Sequence, residues 1–184
     1  MCILDETLLN LMHIQTSFLG TLSDFFHIIS VGLVFVLIFG GWAFHWRIVR
    51  EKDPQLRSYV SRWSSTIGFL WPFVAICLLV TGIGDIYYRS SGTGLHWYDE
   101  GWLVAKLIFF VILVVNGSVF GSILGRKRTQ LLQFMNEQQS PEIAEPTLKS
   151  LNRQFSWHYL VQFLLLAIII FLSTIGSGKQ FGIS

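Results

Sequence analysis

Four long stretches of the chain consist almost entirely of apolar residues, and polar segments separate them. They cover residues 22–44, 66–88, 102–124 and 158–177. A helix needs about 20 apolar residues to cross the hydrocarbon core of a membrane. Each stretch is apolar all round, unlike the one-sided helices of a soluble bundle, and none alternates as a β-barrel strand does. The pattern predicts an all-α, integral membrane four-helix bundle, with residues 1–184 as a single membrane domain.

The composition supports this prediction. Hydrophobic residues make up 52% of the chain and charged residues only 13%, whereas a soluble domain carries about 25% charged residues. A disordered chain would need the opposite balance. The net charge of +2 is too small to indicate a nucleic-acid partner, so the predicted surroundings are the lipid bilayer. Cys2 and Cys77 are the only cysteines, and they indicate neither a disulfide framework nor a thiolate metal site.

Basic residues concentrate in the first and third connections, predicted as loops over residues 45–65 and 125–157. Positively charged connections stay on the cytoplasmic side of a membrane. The sequence therefore predicts two cytoplasmic loops, with both termini on the outer, periplasmic side, and this bias suits a bacterial inner membrane. No basic segment precedes the first apolar stretch, so a cleaved signal peptide is not indicated. The basic residues are Arg47, Arg50, Lys52, Arg57 and Arg62 in the first loop, and Arg126, Lys127, Arg128, Lys149 and Arg153 in the second.

Two further patterns concern how the spans begin and pack. Residues 1–21 mix apolar side chains with Asp5 and Glu6, which fits either an interfacial amphipathic helix or a loose leader into the first span.

Glycines spaced by four residues form a smooth stripe on the third span. The stripe favours close packing of helices, within the chain, with a second copy or with other membrane subunits, or it leaves room for a flat cofactor or a lipid-like substrate. The stripe consists of Gly117, Gly121 and Gly125. Separately, the tryptophans near the span ends are expected to be interfacial anchors.

Ionisable side chains inside spans are functional candidates, because their burial is costly. Asp24 and His27 are neighbours on one helix face, and Asp85 and Lys106 lie at a similar depth in the next two spans. These four residues predict a charge-compensated cluster in the outer third of the membrane. The alternative is a structural ion-pair network.

Histidines at the opposite depth form a second candidate site. His45 ends the first span and His158 opens the last one, so antiparallel spans would bring them to one level. Neutral imidazole is a good axial ligand for haem iron. One interpretation is therefore that the pair ligates a b-type haem, and the other is that both are ordinary interfacial histidines. His96, Asp99 and Glu100 in the outer connection could bind Zn²⁺ or Cu²⁺ or form a solvated turn.

Three segments resemble a broad family of small four-helix membrane proteins. They read DFFHIISVGLVFVLIFGG in the first span, LLVTGIGDIYY in the second and WLVAKLIFF in the third. The family includes the HemJ-type protoporphyrinogen oxidases and the membrane domain of copper-resistance protein D, and the resemblance covers about residues 22–177. It implies that His27 and Lys106 are the functional pair, ligating or contacting a bound haem b. The chain lacks the Trp-Gly-Leu-Phe-Tyr-Leu-Pro-Arg-like stretch of the HemJ type, which favours the copper-resistance-like branch.

Three functions follow as hypotheses. The first is a haem b protein for electron transfer or porphyrin chemistry. The second is a non-enzymatic accessory subunit of a larger respiratory or photosynthetic membrane complex. The third is a copper-handling membrane protein that uses His27, His96 and nearby carboxylates from the outer side, although the chain has only three methionines.

Overall fold

The computed structural model describes the backbone of residues 3–93, 101–138 and 141–180, and the side chains of 18–84, 86, 101–137 and 144–175. Apart from residues 51–53 and 69–70, every described residue is helical, which confirms the all-α fold. By length and composition, four helical stretches can cross a membrane. The helices are α1 (Ile3–Arg50), α2 (Pro54–Gly68), α3 (Trp71–Thr93), α4 (Gly101–Val115), a π-helical turn (Asn116–Phe120), α5 (Gly121–Gln138) and α6 (Pro141–Gln180).

The first helix is longer than the predicted span. It runs for 48 residues without a break, which is about 72 Å at 1.5 Å per residue. The boundary predicted at residue 21, between a surface helix and the first span, is therefore absent. Because the hydrocarbon core is only about 30 Å thick, α1 extends well past the bilayer.

The connection at 45–65, predicted as a loop, is mostly helical. The α1 helix continues to Arg50, and α2 begins after Asp53, whose carboxylate accepts a hydrogen bond from the Gln55 backbone N–H at 2.9 Å. Pro54 occupies the first position of α2, where a missing N–H costs nothing. The polar composition suggested a loop, but α2 packs on α1 and α5, and this packing stabilises it.

The connection at 125–157, also predicted as a loop, consists of the helices α5 and the first part of α6. Leu132 and Met135 of α5 pack against Ala144 and Leu148 of α6 in a small buried cluster. The polar residues and two prolines of the QQSPEIAEP segment suggested a linker. Instead, Pro141 starts α6, and Pro146 lies only five residues further on.

Two local irregularities interrupt the spans. Between α2 and α3, the N–H groups of Phe69 and Leu70 donate to carbonyls three residues earlier, and Pro72 follows at the second position of α3. In the third span, the Gly121 N–H donates to the Asn116 carbonyl. That five-residue spacing makes the wider π turn, which holds one more residue than an α turn.

The spans pack in antiparallel pairs. The α1 helix lies mainly on α3, and α4 lies mainly on α6, while α1 and α6 join the two pairs. The core fills the middle of the bundle with Val34, Ile38, Trp71, Val74, Leu78, Leu113, Leu165 and Leu166. Here the basic end denotes the end of the bundle where α1 finishes and where α2, α5 and the start of α6 lie. The other end, which contains His27 and Lys106, is called the far end.

Tryptophans mark the rim of the basic end. Trp42, Trp46 and Trp63 are exposed there, as is Trp157, which agrees with the expected interfacial positions. Trp71 differs, because it is buried and packs against Gly117 of the π turn. A Cβ atom at Gly117 would overlap the indole ring, so this glycine lets α3 and the third span approach closely.

The far end has no buried core among the residues whose side chains are described. In α1 and α3, none of residues 18–29 and 82–84 is buried, and the same holds for 101–112 of α4 and 167–175 of α6. The two helix pairs are therefore packed tightly at the middle and the basic end, and only partly covered at the far end.

Candidate functional site

At the far end, His27 is attached to α3 by a hydrogen bond with a defined direction. Its Nδ1 lies 3.0 Å from Oγ1 of Thr81. The Thr81 hydroxyl donates its own hydrogen to the Cys77 carbonyl at 2.8 Å, so it can only accept from His27. Nδ1 of His27 therefore carries a proton and donates it to the Thr81 hydroxyl.

Small residues surround this imidazole. A Cβ atom at Gly82 would lie 3.6 Å from Cε1 of His27, and the Ser23 hydroxyl donates to the Thr81 carbonyl at 3.3 Å. The α1 and α3 helices are therefore close together on this side of His27.

The other predicted members of the far-end cluster are only partly placed. Asp24 is exposed on α1 and Lys106 is half-buried on α4, while the side chain of Asp85 lies outside the described residues. The four-group cluster therefore remains a prediction. Within the described part of the chain, no three His, Cys, Asp or Glu side chains are grouped to hold a metal. His96, Asp99 and Glu100 lie outside it.

At the basic end, the structure brings His45 and His158 together, as their predicted common depth requires. Both imidazoles are buried. Their ring centroids lie 5.8 Å and 5.3 Å, respectively, from the ring of Tyr159, and Phe155 stacks on His45 at 5.6 Å. Two aromatic rings thus pack around both histidines.

Arg128 completes this cluster, although the sequence suggested only a solvated cytoplasmic arginine. It is 1% exposed. Its Nη1 lies 3.4 Å from Nδ1 of His45, and its Cζ lies 3.9 Å from the centre of the Phe155 ring. The guanidinium therefore makes a hydrogen bond with the His45 imidazole and a cation–π contact with the Phe155 ring.

The protonation of His45 follows from its other nitrogen. Nε2 of His45 lies 3.1 Å from the Ser156 hydroxyl, which donates its own hydrogen to the Asn152 carbonyl. Ser156 therefore accepts from His45 Nε2–H. This leaves the lone pair of Nδ1 to accept from Arg128, so His45 is neutral.

Two buried nitrogen atoms of this cluster have no hydrogen-bond partner among the described residues. They are Nε of Arg128 and Nδ1 of His158. In the same part of the chain, the carboxylates that form ion pairs are Glu51, 3.2 Å from Arg47, and Glu145, 3.8 Å from Arg57. Neither pairs with Arg128, so no described carboxylate compensates for its buried charge.

Arg128 and His158 both line a cavity of about 160 Å³, here called the basic-end cavity. Its lining includes all three glycines of the predicted stripe, two arginines and no carboxylate. Small-molecule and cofactor pockets usually measure about 300–1,000 Å³, so this cavity is too small for a porphyrin. A haem ligated by His45 and His158 would also require His45 to break its hydrogen bond with Arg128 or with Ser156. The two histidines therefore do not fit a haem in this arrangement.

Comparison with protein-family models, curated proteins and solved structures finds no match. The resemblance to the HemJ and copper-resistance family therefore remains a prediction from the three sequence segments, and the function has to be inferred from the two sites.

Proposed function

We propose that the chain is a multi-pass protein of a bacterial inner membrane, with the basic end in the cytoplasm and both termini outside. The two basic connections lie at the same end of the bundle, as the positive-inside rule requires for this orientation. Four exposed tryptophans at the same end support a membrane surface at that level.

The proposed activity is electron transfer or porphyrin chemistry by a haem b bound at the far end. In this proposal, His27 would hold the iron, and Lys106 would ligate it or contact a propionate. The observation that carries it is the hydrogen bond from His27 to Thr81, because a ligating histidine usually donates its other N–H to a fixed acceptor. The described side chains of the far end form no buried core, which supports the proposal, since a bound group between the helix pairs would supply that packing.

The protein residues have separate tasks in this proposal. Thr81 fixes the Nδ1 proton and the ring orientation of His27, and Gly82 places no side chain against Cε1 of the imidazole. Haem iron supplies one-electron transfer when bound.

The test is a reduced-minus-oxidised visible spectrum of the full chain purified in detergent, together with its size on a native gel. We expect haem bands in the wild type, their loss in His27→Ala and their retention in His13→Ala. Normal haem content in His27→Ala would reject His27 as the ligand. A wild type without haem bands would reject the haem proposal itself.

A second candidate is an accessory subunit of a larger membrane complex. The same far end favours it, because helices from another subunit could cover the partly exposed faces of α1 and α4. A protein without haem that migrates in a large assembly would support this function. Copper handling remains a prediction, as only His27 of its suggested ligands is described.

A further inference from the structure

We infer that the basic-end cavity binds a phosphate oxyanion, carried by the headgroup of an anionic lipid, with Arg128 as its main contact. This site is at the other end of the bundle from His27, and the inference does not depend on haem. Its evidence is the charge of the cavity, the unpartnered donors that line it and its position at the membrane rim.

The charge of the cavity requires an anion. A buried charge is costly unless a partner compensates for it. Arg128 is buried with a neutral imidazole and a phenyl ring as its contacts, and neither carries a negative charge. Arg126 also lines the cavity, and no acidic residue does. An oxyanion in the cavity would neutralise the guanidinium where the protein does not.

Two residues that line the cavity have unused hydrogen-bonding capacity. His45 uses one N–H of the Arg128 guanidinium, while Nε–H of Arg128 has no acceptor among the described residues. Arginine is suited to phosphate because two of its N–H groups can donate in parallel. His158 lines the same cavity, and its Nδ1 is also without a partner among the described residues.

The surroundings indicate a lipid rather than a soluble anion. The cavity has apolar walls from Leu37 and Phe44 as well as its polar donors, and it lies level with the exposed tryptophans of the rim. A volume of about 160 Å³ accommodates a headgroup but no acyl chains, which would lie along the bundle surface. Basic pockets between spans on the cytoplasmic side are typical binding sites for anionic headgroups.

The glycine stripe opens the cavity. A Cβ atom at Gly121 would lie 3.3 Å from Nε2 of His158, and one at Gly125 would meet nothing within 4 Å. Gly125 therefore borders open space that a larger side chain could fill without a clash at Cβ. This provides a way to block the cavity while leaving Arg128 intact.

The experiment is native mass spectrometry of the full chain with added phosphatidylglycerol or phosphatidylcholine. We expect the wild type to retain phosphatidylglycerol preferentially, and Arg128→Gln to bind it at least tenfold more weakly. Arg153→Gln removes an equal charge from an exposed position of α6 and should bind like the wild type. Equal retention by Arg128→Gln and the wild type would overturn the inference.

A second pair of variants tests the location of the lipid headgroup if Arg128→Gln does not fold. Gly125→Leu should fill the cavity and weaken phosphatidylglycerol binding to a similar degree. Gly40→Leu is the matched control, because a Cβ atom at Gly40 also meets nothing within 4 Å and this residue does not line the cavity. Full binding by Gly125→Leu would contradict the proposed location.

Inorganic phosphate distinguishes the two sources of the oxyanion. If millimolar phosphate displaces phosphatidylglycerol only partly, the lipid is the ligand. If phosphate binds through Arg128 and the protein does not discriminate between the two lipids, a free anion is the ligand and the lipid assignment is wrong.

Discussion

Nδ1 of His45 accepts a hydrogen bond from Nη1 of Arg128 at 3.4 Å, across the interface between α1 and α5. Because Ser156 accepts the only N–H of the neutral imidazole, His45 acts here as an acceptor and cannot carry a proton on Nδ1. A histidine at the end of one span thus holds the guanidinium of another helix inside the bundle.

This relationship predicts different effects for two replacements of His45. His45→Leu removes the acceptor and leaves the buried guanidinium with a further unpaired donor, which costs about 1–3 kcal/mol. His45→Asn can place its amide oxygen near the position of Nδ1 and should retain much of that stability. Thermal unfolding of the detergent-purified variants measures the difference. Equal melting temperatures would show that the hydrogen bond contributes little.

The glycine stripe should be uneven in its tolerance of side chains. Gly117→Ala forces a methyl group against the buried Trp71 indole, and overpacking of this kind typically costs about 1–3 kcal/mol. Gly125→Ala places the methyl group in open space and gains helix propensity of about 0.5–1 kcal/mol. Melting curves followed by tryptophan fluorescence should show a decrease for the first variant only.

Thr81 should control haem content if His27 ligates the iron. Thr81→Val removes the acceptor for Nδ1–H and should weaken haem binding by about 10–100-fold, the usual effect of losing such a partner. Thr81→Ser keeps the hydroxyl and serves as the control. Haem titration into the apo-protein gives both affinities, and identical values for Val and Ser would refute the orienting role of Thr81.

The proposed orientation predicts where reporters fused to the chain are active. Alkaline phosphatase joined after Ser184 should be active, because it folds in the periplasm, and the same reporter inserted after Gln138 should be inactive. A cytoplasmic reporter at each position should give the reverse result. Activity in the opposite compartments would place the basic end outside and exclude a cytoplasmic leaflet for the lipid headgroup.

The sequence predicted the membrane helices because their signal is local: about 20 apolar residues in a row can hardly form anything else. The sequence predicted loops over residues 45–65 and 125–157, although Leu131, Leu132, Phe134 and Met135 allowed an extension of the third span, because the stability of the helices there depends on partners. Ser61 of α2 is buried beside Thr129 of α5, with 3.3 Å between their hydroxyl oxygens, and no local pattern in either segment indicates this pairing.

The candidate sites show the same limit. His45 and His158 could be placed at one depth from helix direction alone, and the structure brings them together. Arg128 has the same sequence context as its exposed neighbours Arg126 and Lys127, so its burial could not be predicted. Its position depends on where α5 meets α1 and α6, which is a tertiary property.

The π turn at Asn116–Phe120 sets which side of α5 faces the bundle. Such a turn accommodates one surplus residue, so the third span has the form of a helix with a single-residue insertion. If the turn closed into regular α-helix, every following residue would rotate by about 100°, and Arg128 would leave His45. Deleting one residue within the turn should instead give a regular helix that keeps Arg128 in place. The side of α5 that faces His45 therefore depends on one residue near the middle of the third span.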